Sequence, residues 1–554
     1  MLHFFFYRSS LALRYATKNT NHVNVILQRI NFPLKGIQQG GNVMKTFRFL
    51  CLASVLLVFA STGWGQIVIG PGEVINNGNI DIVSPASGEQ ANLVVTGNTS
   101  SNNTTLTGGG TVTLSGPNAG ITDANGLQTL TIGDQTIQGV GNVGRNNPNF
   151  VNTAEGLIDA NVDSETLIID PGSSFINNGT LRASNGGILE LRDAGTTDFA
   201  NTGGTIEAQN NSEVLLTSSA RIVGGVLSTT ESGQFRVGAG QTAFLENLTL
   251  NGSLVADNSS STQISGTITS TDSIDIVSTG DATNLVLNGD TTLTGGGTLT
   301  LSGANAGITD TLALQTLTID DHTIQGSGNI GRNNPNIINN GTILANDATA
   351  QLTVDVSGAD FDNDGTLQVS NGATLEVVGD LIGSSTATLA GDGTITATGG
   401  DIQHAGLIAA GDSAIGSLVL DANVALDDST VSQFEIGGTS AGLFDVLIIN
   451  GDLTLDGLLS LSLTEDFIPS DIDTFEIITA TGLIDSFSNV ANGEVLQTTD
   501  GQGEFTVNFG SGSSFGENSV VLSNFSSTAV PEPGSVSLLL LSGLALIGRR
   551  RREI

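Results

Sequence analysis

Asp360, Asp362 and Asp364 stand at alternate places in Asp360-Phe361-Asp362-Asn363-Asp364-Gly365, the first, third and fifth positions of a calcium loop with glycine at the sixth. Carboxylates spaced this way on a turn can converge on a hard cation and relieve their own repulsion. The twelfth position is Asn371 instead of the bidentate glutamate of an EF-hand, so the pattern reads as a weak calcium site or an ordinary corner. Nucleophilic chemistry has few bearers. Beyond residue 65 there are two histidines, His322 and His404, and no cysteine or lysine, whereas a serine nucleophile needs both a base and a group to orient it. His322 fills the slot that Gln135 holds in a duplicated block, which predicts a solvated corner residue. Arg145 and Arg332 are equivalent members of a repeated Gly-Arg-Asn-Asn-Pro, which predicts a shared structural corner and not a catalytic base. Paired carboxylates can hydrolyse glycosides, but 52 Asp and Glu between residues 66 and 530 single out no pair.

The two ends carry addresses. Met44-Lys45-Thr46-Phe47-Arg48 is a basic n-region, Phe49 to Ala60 an apolar h-region and Ser61 to Gly65 mostly small residues. Together they predict a secretory signal over 44–65, cleaved between Ala60 and Gln66. Cys51 lies inside the h-region, which argues against a lipoprotein. Residues 1–43 read as an extension from a start placed too far upstream. At the other end Val530, Pro531, Glu532 and Pro533 precede an apolar stretch from Val536 to Ile547 and then Arg549, Arg550, Arg551 and Arg552. A helix from Ser535 to Gly548 would rise only about 21 Å, short of the roughly 30 Å hydrocarbon core, so it predicts a short transmembrane anchor with its arginines on the cytoplasmic side.

This succession over residues 530–554 resembles the PEP-CTERM sorting signal. The resemblance implies export, retention in the inner membrane by the tail and processing by an exosortase-type enzyme, with a destination at the cell surface or in the extracellular matrix. It does not imply an activity.

Between the addresses, six arginines face 52 acids, a net charge near −46. Such a surface repels nucleic-acid phosphates and anionic lipid heads. With no cysteine in the exported part, the fold must be held by burial and hydrogen bonds alone.

The elements that must position any site are short. Thr111-Val112-Thr113-Leu114, Leu130-Thr131-Ile132, Leu167-Ile168-Ile169 and Leu367-Gln368-Val369 alternate with Gly, Asn and Asp, and no stretch keeps a helical period. Asn-Asn-Gly or Asn-Asp-Gly recurs before a strand at Asn177, Asn339 and Asn363, which predicts corners built on residues that tolerate positive φ. Corners every 20 to 28 residues or so predict an all-β parallel β-helix or β-solenoid, right-handed, over 66–400. Some 15 to 20 rungs at ~4.8 Å would make a rod about 70–95 Å long.

Leu106 to Asn149 aligns without a gap to Leu293 to Asn336 at an offset of 187, with 35 of 44 positions identical. A solenoid accepts such copying because each rung contacts only its neighbours. Over 401–529, the run Gly406-Leu407-Ile408-Ala409-Ala410-Gly411 through Phe434-Glu435-Ile436, Phe444-Asp445-Val446-Leu447 and Gly451-Asp452-Leu453 resembles the closing segment of autotransporter-like passengers and PEP-CTERM surface proteins. It implies a β-rich C-terminal section.

The leading function is a non-catalytic structural or adhesin-like surface protein that meets extracellular polysaccharide or neighbouring cells, without a required cofactor apart from the calcium option. A carbohydrate-active enzyme on a β-helix, such as a pectate-lyase-like protein with calcium and an arginine base, is the second class, although no Trp or Tyr remains beyond residue 65 for sugar stacking. An ice-binding protein is the third. The PEP-CTERM tail occurs on some of those, and triplets at Thr111/Thr113, Thr129/Thr131, Thr298/Thr300, Thr316/Thr318 and Thr394/Thr396 could line a flat face, although threonine is also simply a good strand former.

Overall fold

The computed structural model describes residues 65–528, apart from breaks at 86–87, 98–102, 125, 127, 193–197, 313, 359, 412–413 and 465–466, together with a two-stranded pairing of Phe6–Tyr7 with Ser10–Leu11. Alternation of apolar and polar residues makes strands of mostly three to six residues, and Gly, Asn and Asp turn the chain between them. The strand Thr111–Ser115 shows the rule: Val112 and Leu114 are buried while Thr111, Thr113 and Ser115 face outward.

The strands coil into a solenoid of about 17 turns. At ~4.8 Å per turn the rod is about 80 Å long. Each turn lays one strand on each of three faces. Face I runs from Gln66–Ile69 through Ala91–Val95 and Ala119–Asp123 to Leu458–Leu463. Face II begins with Gly72–Ile75 and Asn103–Thr107, and face III with Asn79–Val83 and Thr111–Ser115. Every strand pairs in parallel with its counterpart one turn away, as Gln66–Ile69 does with Ala91–Val95. Face I is an open ribbon, because among the described residues Gln66–Ile69 and Leu458–Leu463 each have one partner strand and do not pair with each other. In Thr242–Asn251, Ser261–Ser270, Thr283–Thr294, Thr374–Gly383 and Thr394–His404 a single strand crosses the corner from face II to face III. Register shifts mark those crossings, for example between Glu246 and Leu248.

Inward side chains stack into one continuous core of Leu, Ile, Val and Phe. Each fully buried member contributes roughly 1.5–3 kcal/mol. Phe150, Phe175 and Phe199 occupy successive turns of face II, with ring centroids 5.6 and 5.3 Å apart.

The solenoid continues past residue 400, since the strand Thr394–His404 spans it. It ends in a different architecture, with Val495–Gln497, Gly503–Asn508 and Ser519–Ser527 pairing antiparallel over the last turn. Phe475 sits at the centre of that lid, in edge contact with Phe444, Phe467 and Phe505. No helix among the described residues is long and apolar enough to cross a membrane. The anchor helix expected within 530–554 lies outside the described residues.

Candidate functional site

The residues that could do chemistry sit at the corners, and the corners are built mainly from buried amides. Asn152, Asn177 and Asn201 are fully buried at the corner from face II to face III. Asn152 Nδ2 donates to Asn177 Oδ1 at 2.8 Å, Asn177 Nδ2 to Asn201 Oδ1 at 2.7 Å, and Asn201 Nδ2 to the Gly224 carbonyl at 3.2 Å. A second ladder at the corner from face III to face I joins Asn339 Nδ2 to Asn363 Oδ1 at 2.8 Å. The Asn-Asn-Gly motif therefore works differently from the expectation. Neither Asn177, Asn339 and Asn363 nor Gly179, Gly341 and Gly365 have φ in the left-handed region. The asparagine supplies an internal hydrogen bond, and the glycine supplies room: a Cβ on Gly179 would lie 2.2 Å from the Thr153 carbonyl oxygen.

Gln135 occupies the same corner column. Its Nε2 donates to the Asn76 carbonyl at 3.1 Å and its Oε1 accepts from Asn76 Nδ2 at 2.8 Å, which bridges two turns across the intervening Gly108–Gly110 corner. His322 takes this slot in the second copy. It is a corner residue but not a solvated one: it is fully buried, and neither ring nitrogen has a hydrogen-bond partner. The carboxylate of Asp321 lies 3.6 Å from Nδ1. Burial outweighs that carboxylate and holds the imidazole below its ordinary pKa. His404 is also buried, with Nε2 3.0 Å from the Leu407 carbonyl. That contact requires the proton on Nε2, and burial pushes the pKa down to about 4. Both rings are thus neutral interior groups.

Arg145 and Arg332 are equivalent in structure as well as sequence. Both have φ of 54°. Arg145 Nη2 donates to the Asn118 carbonyl at 2.8 Å and Nε to Asn92 Oδ1 at 3.1 Å, and Arg332 Nη2 donates to the matching Asn305 carbonyl at 3.1 Å. The four remaining arginines between residues 66 and 530 form ion pairs within the middle turns: Arg182 with Asp159, Arg192 with Glu190, Arg221 with Asp198 and Glu246, and Arg236 with Glu213 and Asp257.

Asp360 and Asp362 lie on the strand Asp360–Asn363 with exposed side chains, and Asp364 falls in the corner that follows. The run is a strand and a corner, so its carboxylates are not wrapped into a loop. Among the described residues no group of three His, Cys, Asp or Glu could hold a metal ion. Asp445 is buried, and accepts from the Gly416 amide at 2.9 Å and the Glu435 amide at 2.6 Å. Burial nevertheless pushes its pKa up to about 6.

The threonine triplets do not share a face. Thr111/Thr113 and Thr316/Thr318 lie on face III, Thr129/Thr131 and Thr394/Thr396 on face II, and Thr298/Thr300 on face I. What face I does carry is one column, Thr298, Thr323, Thr342, Thr366 and Thr388, in register on five successive turns.

Fold and corners together define a long β-solenoid whose polar interior residues serve its own stacking. Residues 529–552 match the PEP-CTERM protein-sorting motif, so the chain carries the signal of an exported, surface-directed protein that an exosortase processes. No curated protein matches the chain in sequence. The sorting residues Val530 to Pro533 and Arg549 to Arg552 lie outside the described residues.

Proposed function

We propose that the protein is a non-catalytic, adhesin-like rod, exported and held at the membrane by its C-terminal tail until processing, which presents its faces to extracellular polysaccharide or to neighbouring cells. The observation that carries this reading is where the chemistry-bearing side chains go. His322 and His404 are buried, Arg145 and Arg332 brace corners, and the other arginines are ion-paired, so each is taken up by the fold itself. Distance from the membrane is then the property that a rod supplies.

Deleting Pro531 to Ile554 tests the sorting half of the proposal. The truncated protein should appear folded in the periplasm or medium, and membrane retention equal to that of the full chain would refute the anchor. The adhesive half predicts loss of cell attachment or biofilm in the deletion strain, with no hydrolase or lyase activity on a glycan panel.

The threonine column of face I favours a second reading, binding to an ordered crystal surface such as ice. Measurable thermal hysteresis that disappears on replacing Thr323, Thr342 and Thr366 by Tyr would establish it.

A further inference from the structure

The two ends of the solenoid are finished differently. At the C-terminal end the antiparallel lid covers the last turn, and Leu461, Phe475 and Ile478 are fully buried. At the N-terminal end, Gln66–Ile69, Gly72–Ile75 and Asn79–Val83 pair only with the following turn among the described residues. Their core is half open: Ile67 and Val74 are partly exposed, whereas their register partners one turn on, Leu93 and Leu106, are fully buried. Ile75 and Val83 are 52% and 62% exposed at the rim.

In a parallel ladder alternate residues direct both N–H and C=O to the same neighbour. The Gly65 and Ile69 carbonyls accept from the Asn92 and Thr96 amides, so Gln66 and Val68 direct theirs to the open side. The Gly78 carbonyl accepts from Thr111 and the Ser84 amide donates to Ser115, so Asn79, Asp81 and Val83 do the same. Three unblocked edges on one rung are a template for strand addition.

We propose that this rung is a self-association surface, with two copies meeting end to end about a two-fold axis through their N-terminal rungs. The inference rests on the surface-rod reading and on removal of the leader before Gln66, which leaves no preceding segment to cover the edge. Charge selects this end. Residues 66–250 carry 17 acids against five arginines, and 251–528 carry 35 acids against one. The first three turns contribute only Glu73, Asp81, Glu89, Asp123 and Asp134, so two rods repel each other least when these ends meet. A sorting tail at the opposite end points the rung away from the membrane, where rods from facing cells meet tip to tip. One rung offers less than the roughly 800 Å² per partner of a standard interface. Each contact is therefore weak, and strength comes from many rods acting together.

The test uses the exported chain ending at Thr528, with its N-terminus read by mass spectrometry. The expected result is a reversible dimer at tens of micromolar and above in sedimentation equilibrium, with a scattering-derived length approaching twice that of the single rod. Val68→Pro and Asp81→Pro remove amides that the fold itself does not use, so both variants should keep the monomer's circular dichroism and melting temperature while weakening dimerisation tenfold or more. A monomer throughout the range, a dimer no longer than one rod, or a dimer indifferent to both prolines would overturn the proposal. So would an exported monomer whose N-terminus lies upstream of Gln66, since the chain's own residues would then be the cover. Cell fractionation separates this from the surface reading: a tip-to-tip dimer formed by a protein absent from the surface would sink that reading and leave the contact standing.

Discussion

Leu106 to Asn149 and Leu293 to Asn336 are nearly the same sequence, yet they lie on different faces of the rod. Thr111–Ser115 belongs to face III and its copy Thr298–Ser302 to face I, as their ladder partners show: the first pairs with Asn79–Val83, the second with Ser273–Val277. Ala119–Asp123 on face I corresponds to Ala306–Asp310 on face II, and Thr129–Ile132 on face II to Thr316–Ile319 on face III. The offset of 187 residues spans eight turns and one further face at roughly 22 residues per turn. Backbone conformation nevertheless repeats. Gly139 and Gly326 have φ of 107° and 105°, and a Cβ on either would lie 2.1 Å from a carbonyl oxygen, that of Leu114 or of Leu301. Strand and corner are thus local properties of the sequence. The face is set by how many strands came before.

The largest predicted effect follows directly. Excising Leu106 to Thr292 joins equivalent points of the two copies, so the downstream rod should stack on Asn103–Thr107 as the first copy did, turned by one face. Solution scattering should show a folded rod shorter by about 40 Å at ~4.8 Å per turn. An unfolded or aggregated product would break the comparison.

Next in size is the corner where the copies differ. Gln135→His should cost about 1–3 kcal/mol in chemical denaturation, because it breaks both buried hydrogen bonds that join Gln135 to Asn76 and takes the donor from the Asn76 carbonyl. The reverse change at the second copy, His322→Gln combined with Ser270→Asn, rebuilds the two-turn bridge and should stabilise the rod by about 1 kcal/mol. Equal effects of both exchanges would mean that the slot is indifferent to its occupant.

A pH series sharpens the same contrast, since the first copy contains no histidine. His404 has its folded pKa depressed to about 4 from 6.5. Its contribution is therefore present above pH 6.5 and lost as pH falls towards 4, by up to about 3 kcal/mol. His322 acts in the same direction. Asp445, raised to about 6 from 3.8, works the opposite way, stabilising at low pH and losing that contribution as pH rises from 3.8 to 6. The His322→Gln, His404→Gln double variant should therefore have a flatter stability curve between pH 6.5 and 4.5 than the native chain. Parallel curves would remove the histidines from the account.

The smallest effect is ionic. The excess of acids beyond residue 250 predicts a melting temperature that rises with salt by screening. Calcium at matched ionic strength should add little, because Asp360, Asp362 and Asp364 lie along a strand and its corner. A clear calcium-specific gain that Asp362→Asn abolishes would restore the cation site.

Much of this architecture was legible. Alternation in Thr111-Val112-Thr113-Leu114 announces a strand with one buried side, and recurring Gly and Asn announce corners, because both signals are local. The corner role of Arg145 and Arg332 followed from their appearing in both copies. The burial of His322 was hidden, since Gln135 in the same slot looks like a surface residue until Asn76, 59 positions away, is seen to pair with it. The threonine triplets misled for the same reason as the duplication: a triplet's own sequence does not say which face it will occupy. Only the running count of strands does, and that count depends on corner lengths that composition does not reveal.

That count is the central claim, and one disulfide measures it. The exported chain has no cysteine. In the native rod Asp81 pairs with Thr113, and Thr113 corresponds to Thr300. With Asp81→Cys and Thr300→Cys, the two thiols of the full-length rod are eight turns and more apart and on different faces. After excision of Leu106 to Thr292 they should become register partners on one face, within the 4.4–6.8 Å Cα separation that a disulfide needs. Rapid oxidation in the excised chain and none in the full-length chain is the predicted result. A folded excised rod whose cysteines stay reduced would contradict it, because the second copy would then have kept its original face.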